Sequence, residues 1–388
     1  MAPSSVCSAT RTTVFRKRGS CTAGEAMRRF PRSDSMPVSC LIGMRTLVVS
    51  DLHLGSLLER DVLRRPEALE ALVSEAEASD RLVLLGDTIE LLEGRARQAA
   101  EVARPVLGAL GQAVGADGEV VVVPGNHDHA MVRGWVHRQV SGPAGLGLDD
   151  IVPRSAGTLL SELTGWLGPA PVEVRYPGLW LDGETFATHG HYCDRLLLDA
   201  SGLRRSDPHP RRTPADYERS PGTDAGGIEQ PLGEILPDGL SEGIDATGGQ
   251  LRRALLSGIP RLASVPGARN IADLASLAIE QGLHRRAAIP AMAEVSRRLG
   301  IGARYLVFGH IHRRGPLPDD PEGMWRPDTN GPMLLNSGSW VYDSALVGMP
   351  TGRPRSYRPG GAVIVDGDGP RCVDLLAGVP DDALRGSV

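Results

Sequence analysis

The sequence predicts an α/β fold, and three observations carry that reading. Short apolar, β-branched runs recur at Thr46–Val49, Arg81–Leu85, Val120–Val123, Thr185–Thr188 and Tyr305–Phe308. Stretches with helical periodicity lie between several of them. Each run gives way within a few residues to Asp, Asn or His. Runs of four or five apolar residues bounded by such breakers read as buried strands of a sheet covered on both faces.

The elements follow in order. Pro66 opens Pro-Glu-Ala-Leu-Glu-Ala-Leu-Val, whose proline start and apolar spacing predict a crossover helix between the first two strands. Residues 97–114 predict a second crossover helix, with Pro105 as a weak point. Val172 to His189 predicts paired strands turning at Asp182-Gly183, and Gly361–Val365 with Arg371–Leu376 predicts a late hairpin through Asp366-Gly-Asp-Gly. Residues 204–250 are rich in Pro, Gly, Asp and Glu and read as loop; 251–304 read as helices carrying nine arginines against Asp273, Glu280 and Glu294. The expectation is an inserted cap over 193–304, with solvated arginines or arginines that hold an anionic group of a substrate. His129 and His137 are expected on a helix after the Asn126 turn, as solvated or capping groups.

Composition sets outer bounds. A 41% hydrophobic content allows a substantial core, and no run of eighteen apolar residues is present to span a membrane. Residues 1–43 hold seven basic side chains, two acids and three of the five cysteines, without an apolar signal core. They read as a disordered leader or a misplaced start, with Met44 as the functional beginning. Residues 44–388 then carry 35 basic and 45 acidic groups, a charge of −10, which argues against nucleic acid as a partner. Only Cys193 and Cys372 remain there, so no disulfide framework is implied and a reducing cytoplasm is expected.

The polar groups at the strand ends form five motifs: Asp51-Leu-His53, Gly86-Asp87, Gly125-Asn-His-Asp128, His189-Gly-His191 and Gly309-His-Ile-His312. Ligands of α/β proteins gather where the carboxyl ends of strands open into loops. Six histidines, three aspartates and an asparagine delivered to one edge point to a metal site. Its mixed imidazole, carboxylate and amide set suits Mn, Fe, Zn or Co better than Ca or Mg.

The series D-x-H, G-D-x-x-E, G-N-H-D, H-G-H, G-H-x-H resembles the calcineurin-like metallophosphoesterase superfamily across residues 44–342. Leu334-Leu-Asn-Ser-Gly-Ser-Trp340 resembles the strand and turn that follow its last metal motif. The resemblance implies a four-layer α-β-β-α sandwich of two mixed sheets with a helical insertion. It also implies two divalent ions, manganese first, with Fe, Zn or Co as alternatives. Asp51, His53 and His312 would hold one ion and Asn126, His189 and His310 the other, with Asp87 bridging. Two such ions generate hydroxide near neutral pH and clamp phosphoryl oxygens. One extended His310-Ile-His312 segment would feed both ions, because residues i and i+2 of a strand share a side.

His127 would be the general acid, oriented by Glu90 or Asp128. The protein-phosphatase branch commonly has Asp where Glu90 stands. His191 would support a ligand imidazole or touch substrate from outside the ion shell. The G-D-x-x-E and H-G-H elements and the insertion also resemble the UDP-2,3-diacylglucosamine hydrolase branch, although that branch usually has Arg at the His127 position. The expected activity is hydrolysis of a phosphomonoester, phosphodiester or pyrophosphate bond in a small or lipid-linked phosphorylated substrate. The alternatives are a nuclease of the same superfamily, which the −10 charge opposes, and a non-enzymatic binding module, which would be expected to lose ligands.

Overall fold

The computed structural model describes residues 43–56, 59–200, 211–219, 287–343 and 356–385. Nearly all of the expected leader over 1–43, most of the loop over 204–250 and most of the helices and arginines over 251–304 therefore lie outside the described residues. Within that loop, 211–219 are described and hold a short helix, Pro214–Glu218, which Thr213 caps and Pro214 starts, where loop was expected. The described part falls in one unit, 38–388.

Each apolar run forms a strand: β1 (Thr46–Val49), β2 (Arg81–Leu85), β3 (Glu119–Val123), β6 (Thr185–Thr188) and β7 (Tyr305–Phe308). The others are β4 (Asp149–Ile151), β5 (Val172–Trp180), β8 (Met333–Asn336), β9 (Gly361–Asp366) and β10 (Gly369–Asp374). They join in the order β10-β9-β1-β2-β3-β5-β6-β7-β8, with β4 paired to β5 on the side. The sheet is mixed. β1, β2 and β3 run parallel in register, Leu47 against Leu82 and Leu82 against Val120. Long β5 connects two halves: its first part pairs parallel with β3 and its last part pairs antiparallel with β6. The turn at Asp182-Gly183 and the β9–β10 hairpin stand as expected.

Successive side chains of a strand face opposite ways, and here both faces are buried. Leu47, Val49, Leu82, Leu84, Val120 and Val122 pack under helices α1 (Pro66–Glu77), α2 (Ala96–Val114) and α4 (Thr158–Trp166). Ala68, Leu72 and Ala76 of α1, and Ala99, Ala103, Leu107 and Leu110 of α2, recur at helical spacing on that face. Helix α2 runs unbroken through Pro105. Val48, Val83, Val121 and Val123 point the other way and meet Leu179, Ala187, Val307 and Leu335 from the second half. Phe186, Leu306 and Phe308 then pack against Ile289, Met292 and Val295 of a helix over 287–299. With each such side chain contributing about 1.5–3 kcal/mol on burial, these three clusters hold the strand ends in place.

Candidate metal centre

Six non-glycine residues among those described have left-handed backbone, and five of them are predicted ligands: Asp51, His53, Asp87, His310 and His312. L-residues avoid that region, and it persists where surrounding structure over-determines it, usually at functional sites. The ligand loops thus leave their strands in sharp turns. This corrects one expectation: His310 and His312 lie on left-handed loop backbone at φ 69° and 57°, not on an extended segment. They still reach different clusters, because the turn rotates them apart. Two glycines make the approach possible. A side chain at Gly86 would strike the His189 ring, and one at Gly309 would strike Ser50 and Asp51.

The ligand atoms converge in two groups. Asp51 Oδ1 lies 3.2 Å from His312 Nε2 and 3.9 Å from His53 Nε2, and the two Nε2 atoms are 3.2 Å apart. His189 Nε2 lies 3.1 Å from Asn126 Oδ1 and 3.1 Å from Asp87 Oδ2, and His310 offers a ring nitrogen to the same group. Asp87 Oδ2 is also 3.7 Å from His53 Nε2, which places it between the groups. All seven predicted ligands are therefore brought together.

Outer partners set the imidazole tautomers. His53 Nδ1 donates to Glu90 Oε2 at 2.9 Å and His189 Nδ1 donates to the Leu85 carbonyl at 3.0 Å. Both Nε2 lone pairs are thereby left facing inward, as a metal ligand requires. Oriented donors around two buried carboxylates fit a pair of divalent cations. Burial raises the Asp51 carboxyl, but His312 and His189 outweigh it and hold it at about 2. Asp87 is likewise raised by burial and pulled well below the usual range, chiefly by His189 and His127. Burial lowers His189, yet the charge and hydrogen bond of Asp87 lift it to about 9.

Glu90 does more than expected. Its Oε2 accepts from His127 Nδ1 at 2.7 Å as well as from His53, while Oε1 accepts from the backbone N–H groups of Leu92 and Glu93. Asp128 does not orient His127. Its carboxylate accepts from the Thr88 N–H at 2.8 Å and the Gly125 N–H at 2.5 Å, clipping two ligand loops together, because those donors lie inside the turn. Burial and the nearby Asp87 charge lift Asp128 to about 6.

His191 is 6% exposed, and neither ring nitrogen has a hydrogen-bond partner among the described residues. Its ring sits 5.6 Å from that of His189, and burial drives its pKa well down. His129 is a second correction. It is buried rather than solvated, 3.4 Å from Glu218, because a one-turn 3₁₀ segment tucks it inward; His137 is exposed on helix α3 (Arg133–Ser141).

Sequence reasoning missed three supports. Ser50 binds Asp51 Oδ2 and Ser337 Oγ, Asn336 Nδ2 donates to the Gly309 carbonyl at 2.6 Å, and Asp194 meets His310. A Ser beside Asp51 and an Asn at a strand end were visible, but not what they would face. The described arginines of 251–304, Arg297, Arg298 and Arg304, pair with Glu294 and Glu184.

Residues 44–223 match the sequence profile of the calcineurin-like phosphoesterases. The chain is similar to that family over this stretch. It is accordingly a hydrolase acting on phosphoester bonds. Among solved structures, a cold-active protein-tyrosine phosphatase from a psychrophilic Shewanella species aligns at 12% identity and TM-score 0.30, covering 86% of this chain and 78% of that one. A point mutant of a cold-active protein tyrosine phosphatase aligns at 14% and 0.29, with the same coverage. That overlap carries no argument about substrate. No curated protein matched, and no match bears on the UDP-2,3-diacylglucosamine hydrolase resemblance. No described helix is long and apolar enough to cross a membrane.

Proposed function

We propose that this phosphoesterase works through two divalent ions, one held by Asp51, His53 and His312, the other by Asn126, His189 and His310, with Asp87 shared. The observation that carries the reading is the inward lone pair of His53 and His189, each fixed by an outer hydrogen bond, around Asp87 Oδ2. When bound, the ions supply a nucleophilic hydroxide near neutral pH and neutralise charge on the phosphoryl oxygens.

The chain's own groups do the rest. His127, with Nδ1 donated to Glu90, presents Nε2 as the proton donor to the leaving oxygen. Glu90 stabilises the protonated ring and keeps it beside His53, whose ring centroid is 4.5 Å away. Asp128 and Asn336 hold the loops that position these groups. The substrate class we favour is a small or amphipathic phosphorylated molecule, with manganese as the first metal to test and the region over 193–304 as its cap. The −10 charge of residues 44–388 favours such a substrate over nucleic acid. We read the fold in four layers, helices outside two facing sheets, on the support of the three apolar clusters.

Metal analysis of the purified chain, paired with a panel of phosphomonoesters, phosphodiesters and nucleotide-sugar pyrophosphates, tests the proposal. Two ions per chain and metal-dependent turnover of at least one class are expected. A chain that takes up fewer than two ions at saturation refutes the dinuclear reading.

A further inference from the structure

Asp194 lies in the first turn of helix α5 (Cys193–Ala200), directly after His189-Gly190-His191. It is 116 positions from His310 in the chain, yet both of its carboxylate oxygens are 2.9 Å from His310 Nε2. The residue is 6% exposed. An acid in a first helical turn often does no more than face the positive end of the helix dipole. Here the carboxylate is aimed across the molecule at a ring nitrogen.

The consequence follows from the imidazole's chemistry. A neutral ring carries one proton, and an ionised carboxylate can only accept. His310 therefore donates Nε2–H to Asp194, which leaves the Nδ1 lone pair for the group that includes Asp87 and His189. His310 is thus the opposite tautomer to His53 and His189, which give Nδ1–H outward. The helix also ties two ligands of one group together. Cys193 N donates to the Gly190 carbonyl and Asp194 N to the His191 carbonyl, so Asp194 is anchored to the loop that carries His189. The backbone N–H of His310 meanwhile donates to Asp51. The ring is held from Asp194 and its backbone from Asp51.

We propose that Asp194 is a positioning residue for the second ion: it sets the His310 tautomer and ring plane, and couples His310 to the His189 loop through the start of α5. The proposal rests on the two-ion reading above. Removing an outer partner of a metal-bound histidine typically weakens metal binding by about 10–100-fold.

The test is a Co²⁺ titration of the metal-free full chain, followed by calorimetry and visible absorption. In Asp194→Asn and Asp194→Ala, one of two sites should weaken by about 10–100-fold while the other stays within about twofold. Its absorption band should change with it. Asp194→Glu should recover part of the loss, and the near-isosteric Asn variant should melt like the parent without metal. In a His310→Ala background, Asp194→Asn should cost nothing further, since the two act as one unit. Unchanged affinity at both sites in the Asn and Ala variants, equal weakening of both sites, or a full additional loss in the His310→Ala background would each overturn the proposal. A parent chain that binds fewer than two ions would instead overturn the dinuclear reading on which it stands.

Discussion

Glu90→Gln is the most informative single change, because one carboxylate serves four N–H donors. Oε2 takes the Nδ1–H groups of His53 and His127 at 2.9 and 2.7 Å, and Oε1 takes the backbone N–H groups of Leu92 and Glu93 at 2.8 and 3.0 Å. A glutamine amide has one acceptor oxygen and one NH₂. Either orientation sets NH₂ against two donors. Bonds to a charged acceptor contribute about 1.5–3 kcal/mol each, so two lost bonds set a ceiling of about 3–6 kcal/mol before relaxation. The imidazoles could accept from NH₂ only by moving their protons to Nε2. For His53 that would take away the lone pair offered to an ion. Glu90→Gln should therefore lower the melting temperature of the metal-free chain and weaken one ion by about 10–100-fold. It should also slow turnover of esters with poor leaving groups by on the order of 10²–10⁴-fold. Calorimetry, metal titration and rates on alkyl against p-nitrophenyl phosphates read the three effects separately. Both ions bound within twofold of the parent, with an unchanged leaving-group dependence, would refute the reasoning.

Three further outcomes are expected. His127→Ala should slow poor leaving groups by about a hundredfold or more and barely affect p-nitrophenyl esters, with metal content unchanged; loss of metal would place His127 among the ligands. Asp87→Asn should remove at least one ion and abolish activity, since a neutral amide cannot offset two cations, and near-normal turnover with two ions would contradict its bridging role. The metal-free chain should lose stability as pH rises. His189 is held at about 9, above its ordinary 6.5, so its contribution is fully present below about pH 6.5 and disappears as pH passes about 9. The linkage ceiling is about 3 kcal/mol, and the metal-loaded chain should not show it, because binding has already displaced that proton. A flat melting temperature of the metal-free chain between pH 6.5 and 9 would count against the Asp87–His189 contact.

Local pattern was enough to place the candidate ligands at strand ends. Thr46–Val49, Arg81–Leu85 and Val120–Val123 had to be buried strands, because such runs have no other low-energy place, and Asp51, Asp87 and Asn126 come directly after them. The same logic reached Glu90, three residues beyond Asp87. What a side chain faces once the chain is folded was beyond it. Asp128 follows His127 directly and Glu90 lies 37 positions before it, yet it is Glu90 that meets the ring, while Asp128 meets two backbone N–H groups. His129 reads as a surface residue until the 3₁₀ segment tucks it against Glu218. Asp194 and His310 are separated by 116 positions, and no local rule relates them. Strand position and polar type are local properties with a fixed period. Tautomer, ring orientation and the left-handed turns of the ligand loops are set by contacts between distant segments, and only the packed fold supplies those.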